Sequence, residues 1–265
     1  MIKTNFHTHT NFCDGKNTIE ELCEIAIEKG FTALGFSSHS YFHLDEGKTL
    51  CEENVDSYLA EIKKAKEKFG DKIEIYAGIE QEYFSPPINR KFDYVIGSSH
   101  YVFKDGEYLA VDQNIEPSIR EHFGGSFDAF AEAYFETVSL VGKKIKPDII
   151  GHIDLVSKYM EQGGYEQSKS YLSNAKAAVD ELLKCDAPFE MNTGAMARGF
   201  RTTPYPSVEI LKMIKDGGGR IAISSDCHNK DFLDCGFGLC EEIAKSVGFD
   251  EYAILTPNGI KYKKF

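Results

Sequence analysis

His7-Thr8-His9, His39, Glu80, His100, His152 and Asp226-Cys227-His228 are the residues of this chain best suited to chemistry. Imidazole and carboxylate groups together suit zinc, manganese or iron. In an extended segment His7 and His9 share one side and Thr8 points away, because side chains alternate. Asp226-Cys227-His228 has the same spacing, so Cys227 is expected to face away from the ions and serve packing. A glutamate can bridge two cations with its two oxygens. Ions held roughly 3.5–4 Å apart clamp the attacking and leaving oxygens of a phosphoryl displacement. A lone histidine after a strand is more often structural than a ligand. Here six of the eight histidines follow apolar runs, and the other two, His43 and His122, fall in long loops. Purely structural use would not select one set of positions in this way.

The elements that must position these groups alternate between short apolar runs and helical patterns, which marks β/α units around a parallel sheet. Strands are expected at Lys3–Phe6, Ala33–Ser37, Ile73–Ile79, Tyr94–Ser98, Ile149–Ile150, Phe189–Met191 and Ile221–Ser224, with a last one at Tyr252–Leu255. Helices are expected at Thr18–Lys29, with Thr18 and Glu21 as a capping box, at Asn54–Phe69, and at Phe127–Val141 capped by Ser126. Three more are expected at Ser170–Lys184, at Ser207–Lys215 capped by Ser207, and at Leu239–Val247. Glu80 follows the third strand, and Glu190 lies inside the sixth with Asn192 just after it. In a parallel barrel the carboxyl ends of all strands open on one face. Tyr41–Glu53 and Val102–Gly125 read as the longest irregular stretches, and loops of that length are usually lids or binding loops. No linker or internal repeat divides the chain, so one domain over 1–265 is expected.

Composition excludes some classes of function. The net charge of −12 argues against a surface that tracks nucleic acid. A small anionic substrate stays compatible with it, because bound cations reverse the local field. No apolar run approaches the roughly 20 residues needed to span a bilayer. The N-terminal residues run directly into polar His7, unlike a signal peptide, so a cytoplasmic protein with no membrane partner is expected. The seven cysteines are scattered without a C-x-x-C pair and read as reduced thiols. Cys23 and Cys185 fall in helical patterns and read as core.

The metal-capable motifs resemble the PHP (polymerase and histidinol phosphatase) superfamily. The likeness rests on His7-Thr8-His9, His39 after Gly-Phe-Ser, Glu80, Gly97-Ser98-Ser99-His100, Gly151-His152 and Ser225-Asp226-Cys227-His228. Asp14-Gly15, Glu190-Met191-Asn192-Thr193-Gly194, Arg198 and Pro204-Tyr205-Pro206-Ser207 resemble its histidinol-phosphate phosphatase branch. The resemblance implies an α/β fold, a distorted (β/α)7 TIM-like barrel with the metal site at the carboxyl ends of its strands. It implies a first ion on His7, His9, Glu80 and Asp226, and a second on Glu80, His100 and His152. A third would lie on His39 and His228 with Asp14, where other members carry histidine. Two or three divalent ions (Zn, Mn or Fe) are thus expected. The implied reaction is hydrolysis of L-histidinol phosphate by a metal-bound hydroxide, with Glu80, Asp226 and Arg198 as the catalytic groups.

Arg198 is the expected phosphate cation, since guanidinium matches phosphate in bidentate fashion. Arg201 and Lys230 are weaker substitutes. His43, Glu190 and Asn192 are further candidates for substrate contact, and Glu82 sits on the same side as Glu80. Tyr41, Phe42, Tyr101 and Phe103 stand beside the strand ends. Other readings remain: a PHP enzyme acting on nucleotides or another small phosphate ester, a non-catalytic metal-binding module, or an amidohydrolase. The last usually carries a carboxylated lysine at a strand end, and no lysine here stands in that place.

Overall fold

The structure is a computed structural model that describes residues 2–265. The chain runs β1 (Thr4–Asn5), α1 (Ile19–Glu28), β2 (Ala33–Phe36), α2 (Val55–Phe69), β3 (Glu74–Glu82), β4 (Tyr94–Ser98), β5 (Tyr101–Lys104), β6 (Glu107–Ala110) and α3 (Ile115–His122). It continues as α4 (Phe127–Ser139), α5 (Val141–Ile145), β7 (Ile149–Ile150), α6 (Met160–Gly163), α7 (Lys169–Leu182), β8 (Phe189–Asn192) and α8 (Gly194–Ala197). It ends as α9 (Val208–Asp216), β9 (Ile221–Ser224), α10 (Phe237–Val247), β10 (Glu251–Thr256) and β11 (Gly259–Lys264).

The main sheet is mixed and has the order β1-β2-β3-β4-β7-β8-β9-β10-β11. All its neighbours pair in parallel except β10 and β11, which form an antiparallel hairpin. Beyond the strands proper, Cys227 N–H donates to His7 O (3.1 Å) and His9 N–H donates to Cys227 O (2.8 Å). These bonds join the continuation of the first strand to that of β9. They set the two spaced ligand motifs side by side.

Strand alternation separates two apolar layers. On β3, Ile75, Ala77 and Ile79 pack under the helices, while Tyr76 points to the inner face. Glu80 and Glu82 share the parity of Tyr76 and so rise from that inner face. On β4, Tyr94 and Ile96 are inner, and Ser98 and His100 continue their line. Tyr94 lies across β2 and β3, where only the absence of a Cβ at Gly35 and Gly78 leaves room for its ring. Its hydroxyl donates to Phe6 O at 2.6 Å. The outer layer buries the stripe Ile19, Leu22, Cys23 and Ala26 of α1, whose start is fixed by the expected Thr18/Glu21 capping box.

The structure corrects several expectations. Glu80 lies within β3 instead of after it, because β3 continues to Glu82 in register with β4. The first strand is only two residues long. Val102–Gly125 is not irregular: β5 and β6 form a hairpin about Asp105-Gly106, both with positive φ, and α3 follows. Strand β11 completes a second hairpin that alternation alone does not announce. Ser126 caps α4, but Ser207 makes no side-chain cap, and its buried hydroxyl has no hydrogen-bond partner. Cys185 is only half-buried, whereas Cys23 is in the core. No helix among the described residues is long and apolar enough to cross a membrane.

Candidate metal centre

Glu80 stands at the middle of the site. Its Oε2 lies 3.2 Å from His7 Nε2, 3.6 Å from His9 Nε2 and 2.7 Å from His39 Nδ1. Its Oε1 lies 3.0 Å from His152 Nε2 and 3.4 Å from His100 Nε2. One carboxylate thus touches five histidines delivered by the ends of four strands. Asp226 Oδ1 adds a contact of 3.1 Å to His9 Nε2. On the outer side Asp14 Oδ1 lies 3.2 Å from His228 Nε2 and 3.7 Å from His39 Nε2. Four groups have donor atoms close enough to share an ion: His7/His9/Asp226, His7/Glu80/His152, His39/Glu80/His100 and His9/Asp14/His39/His228. His39 therefore belongs beside Glu80 as well as beside Asp14, and His9 reaches both ends of the cluster.

The local backbone explains these positions. Asp226 has φ +49, so the Asp-Cys-His motif turns out of the strand and is not extended as its spacing suggests. Gly194 makes room for that turn, since a Cβ there would sit 2.6 Å from Asp226 Oδ2 and 2.8 Å from its Cβ. Cys227 is buried and donates its thiol to Asn229 O at 3.0 Å. Burial pushes that thiol up to about 12, so it stays neutral packing. Asp14 is placed by a turn in which Gly15 N–H donates to Thr10 O. A Cβ on Gly15 would meet His9 C and Thr10 N at 2.5 Å.

The electrostatics are those of interlocked opposite charges. Burial disfavours ionised Glu80, but His7, His100 and His39 outweigh it and hold the carboxyl well below its usual range. Burial also disfavours ionised Asp226, and Arg198 and His7 override it in the same way. Burial pulls His39 and His100 down, yet Glu80 and the carboxylates beside it raise them to about 10 and about 9. His9 is held low, by burial and by the charges of His228 and His39. His7 Nε2, His9 Nε2 and Glu80 Oε2 are fully buried and lack a hydrogen-bond partner of acceptable geometry. Unsatisfied polar atoms of this kind are costly in a core. Here they converge on one point, and a divalent cation would satisfy all three. The residues therefore fit a multi-ion site.

Two buried carboxylates hold the histidines from behind. Glu190 Oε1 lies 2.6 Å from His7 Nδ1, and its Oε2 accepts from His152 N–H and from the Asn192 amide, each at 3.0 Å. Asn192 in turn accepts from Gly194 N–H at 2.8 Å. Glu190 and Asn192 are thus fully buried under the cluster, away from the cleft where substrate contact was expected. Glu82 accepts from His100 N–H at 2.7 Å and lies 2.9 Å from its Nδ1. A partner on the second ring nitrogen fixes the tautomer and orientation of a metal-binding histidine.

Arg198 lies at the open side, 3.2 Å from both Asp226 Oδ2 and His228 Nδ1. The other candidates are elsewhere. His43 is exposed and packs edge-on against Phe42 and Tyr108. Arg201 is buried against Ser157 and the Tyr205 ring, and Lys230 reaches Glu21. His122 faces Asp105. The cleft above the cluster is also lined by Lys48, Asp112, Gln113 and Lys158. Sequence reasoning passes over these because they lie in turns, where no periodicity marks a direction.

Comparison with known proteins agrees with this arrangement. The PHP domain family matches residues 5–192. The chain is 24% identical over 253 residues to a histidinol-phosphatase of Bacillus subtilis, covering 86% of this chain and 94% of that one. It is 26% identical over 282 residues to the histidinol-phosphatase of Lactococcus lactis, covering 100% and 97%. A crystal structure of the Lactococcus lactis histidinol phosphate phosphatase, in complex with zinc, L-histidinol and phosphate, superposes with a TM-score of 0.75. At 20% identity, covering 98% of each chain, that likeness establishes the fold.

Proposed function

The chain belongs to the PHP domain family, and on that premise we propose that it is a metal-dependent phosphomonoesterase whose substrate is L-histidinol phosphate. The observation that carries the reaction class is the sharing of Glu80 among histidines from separate strands, with Arg198 beside them at the mouth. The choice of ester is supported by the named activity of the relatives matched over nearly their whole length. In this reading the sheet is a distorted barrel of seven parallel strands, with the site at their carboxyl ends.

His7, His9, Glu80 and Asp226 would hold one divalent ion, Glu80, His100 and His152 a second, and Asp14, His39 and His228 a third. Zinc, manganese and iron all suit this donor set. Bound ions supply Lewis acidity and neutralise phosphoryl charge. The protein does the rest. Glu80, in contact with His7 and His39 through one oxygen and with His100 and His152 through the other, would tie neighbouring ligand sets into one site. Glu190 and Glu82 hold His7 and His100 in one orientation, so the site is organised before substrate arrives. Arg198 is kept charged by Asp226 and would offer its guanidinium to the phosphoryl oxygens.

The test is phosphate release from L-histidinol phosphate by protein stripped with a chelator and reloaded with zinc, manganese or iron. Nucleotide monophosphates run in parallel. Turnover restricted to the nucleotides would overturn the choice of substrate, and none on any ester would overturn the enzyme.

A further inference from the structure

Among the described residues, three cations line the cleft above the metal centre: Lys48, Lys158 and Arg198. They are not equivalent. Lys48 is exposed, and the Arg198 side chain keeps 33% of its surface. The Lys158 side chain keeps only 8%. Its ammonium is close to the rings of Tyr159 and Phe200, 5.5 and 4.9 Å from their centroids. Nζ donates to Asp112 O at 2.8 Å and lies 3.3 Å from Asp112 Oδ2. An ammonium has three N–H donors. Two are accounted for, and the third has no protein partner among the described residues, although the residue borders the cleft beside His152 and Leu155.

A buried ammonium with a spare donor is costly unless something charged meets it. Asp112 offsets part of that cost and is itself in the field of Lys158, His100 and Arg198. Arg198 stands over Asp226 and His228, whereas Lys158 is bonded to Asp112, a carboxylate that also lies in the field of His100, and it follows His152 by six residues along the same cleft wall. A phosphoryl group in transfer carries charge on three equatorial oxygens. A single guanidinium at one side would leave the other side to the ions alone.

We propose that Lys158, held by Asp112, is a second cationic contact to the phosphoryl group, on the His100–His152 side of the cleft. The proposal rests on the phosphoester reading of the site. A structural alternative exists: Tyr159 also donates to Asp112 O at 2.8 Å, so the lysine could merely tie that loop down.

The experiment compares wild type, Lys158→Met and Lys158→Arg, all metal-loaded and checked for metal content and Tm. Inorganic phosphate binding is measured by calorimetry. Values of kcat and KM are measured on an alkyl phosphate and on p-nitrophenyl phosphate. Lys158→Met should weaken phosphate about 10–100-fold, the range for a hydrogen bond to a charged group. It should lower kcat/KM on both esters by a similar factor, with metal content unchanged, and Lys158→Arg should recover most of the loss. Unchanged phosphate affinity in Lys158→Met overturns the proposal. So does a loss confined to the alkyl ester, which would assign the lysine to the leaving oxygen. Equal falls in Tm for both variants, without charge-dependent recovery, would mark the structural tie. If Lys158→Met drops out of solution, Lys158→Gln is read in the same way. Phosphate binding that needs Lys158 in a protein that cleaves no phosphomonoester would sink the phosphatase reading and leave this contact standing.

Discussion

The two ends of the metal centre are built on different terms. At the inner end the side chains of His7, Glu80, His152 and Asp226 are 0–6% exposed, and Glu190 grips both His7 and the backbone of His152. At the outer end Asp14, His39 and His228 are 34%, 20% and 18% exposed, and they hang on a glycine turn and a loop. The inner end is a part of the core that happens to be polar. The outer end is a surface held in place by backbone geometry. Ions at the two ends should therefore differ in affinity and exchange rate, the inner ones binding tighter and exchanging more slowly.

Glu80→Gln should do most to erase this difference, because Glu80 touches histidines of both ends. Metal content should fall throughout and phosphate release should drop about 100-fold or more, as read by elemental analysis and by phosphate assay. Glu190→Gln attacks the inner end alone. Its ions should weaken about 10–100-fold, and a chelator competition that showed loss from the outer end instead would reverse the assignment. Gly15→Ala attacks the outer end first, because it displaces the turn that carries Asp14. The overlap with the His9–Thr10 backbone should cost about 1–3 kcal/mol, lowering Tm and emptying the Asp14 side while the inner ions stay. The smallest effect is on pH. His39 and His100 lie at about 10 and about 9 without ions, and an ion binds only the deprotonated rings. Metal uptake near neutrality must therefore release protons, and affinity should fall as pH falls, by up to about tenfold per unit for each proton displaced. Titration in weakly buffered solution with a pH indicator reads this directly.

Much of this was legible in sequence for a physical reason. Apolar runs end where ligands begin, so strand ends could be read without the fold, and the Thr18/Glu21 box marked α1. Asp105-Gly106 is a hairpin signal in its own right. It is obscured because β5 exposes Phe103, which spoils the alternation around it. The left-handed turn at Asp226 is only weakly marked by its residue type, although aspartate tolerates that region better than most, and it also depends on the space left by Gly194 thirty-two positions earlier. Glu190 was visible as a candidate, but its role depended on depth, and strand parity gives direction without depth. Lys158 and Asp112 meet only because two turns converge.

The Tyr94 ring over Gly35 and Gly78 bears on how such a protein can change over generations. Even a methyl group at either glycine would displace the ring and, with it, the bond to Phe6 just before His7. The floor under the metals is thereby locked against gradual revision, one small mutation at a time. The segments at the mouth, 41–53 and 101–125, hold no glycine pressed against a ring in this way. A lineage shifting from one ester to another would find its viable intermediates there, while the chemistry below was inherited unaltered.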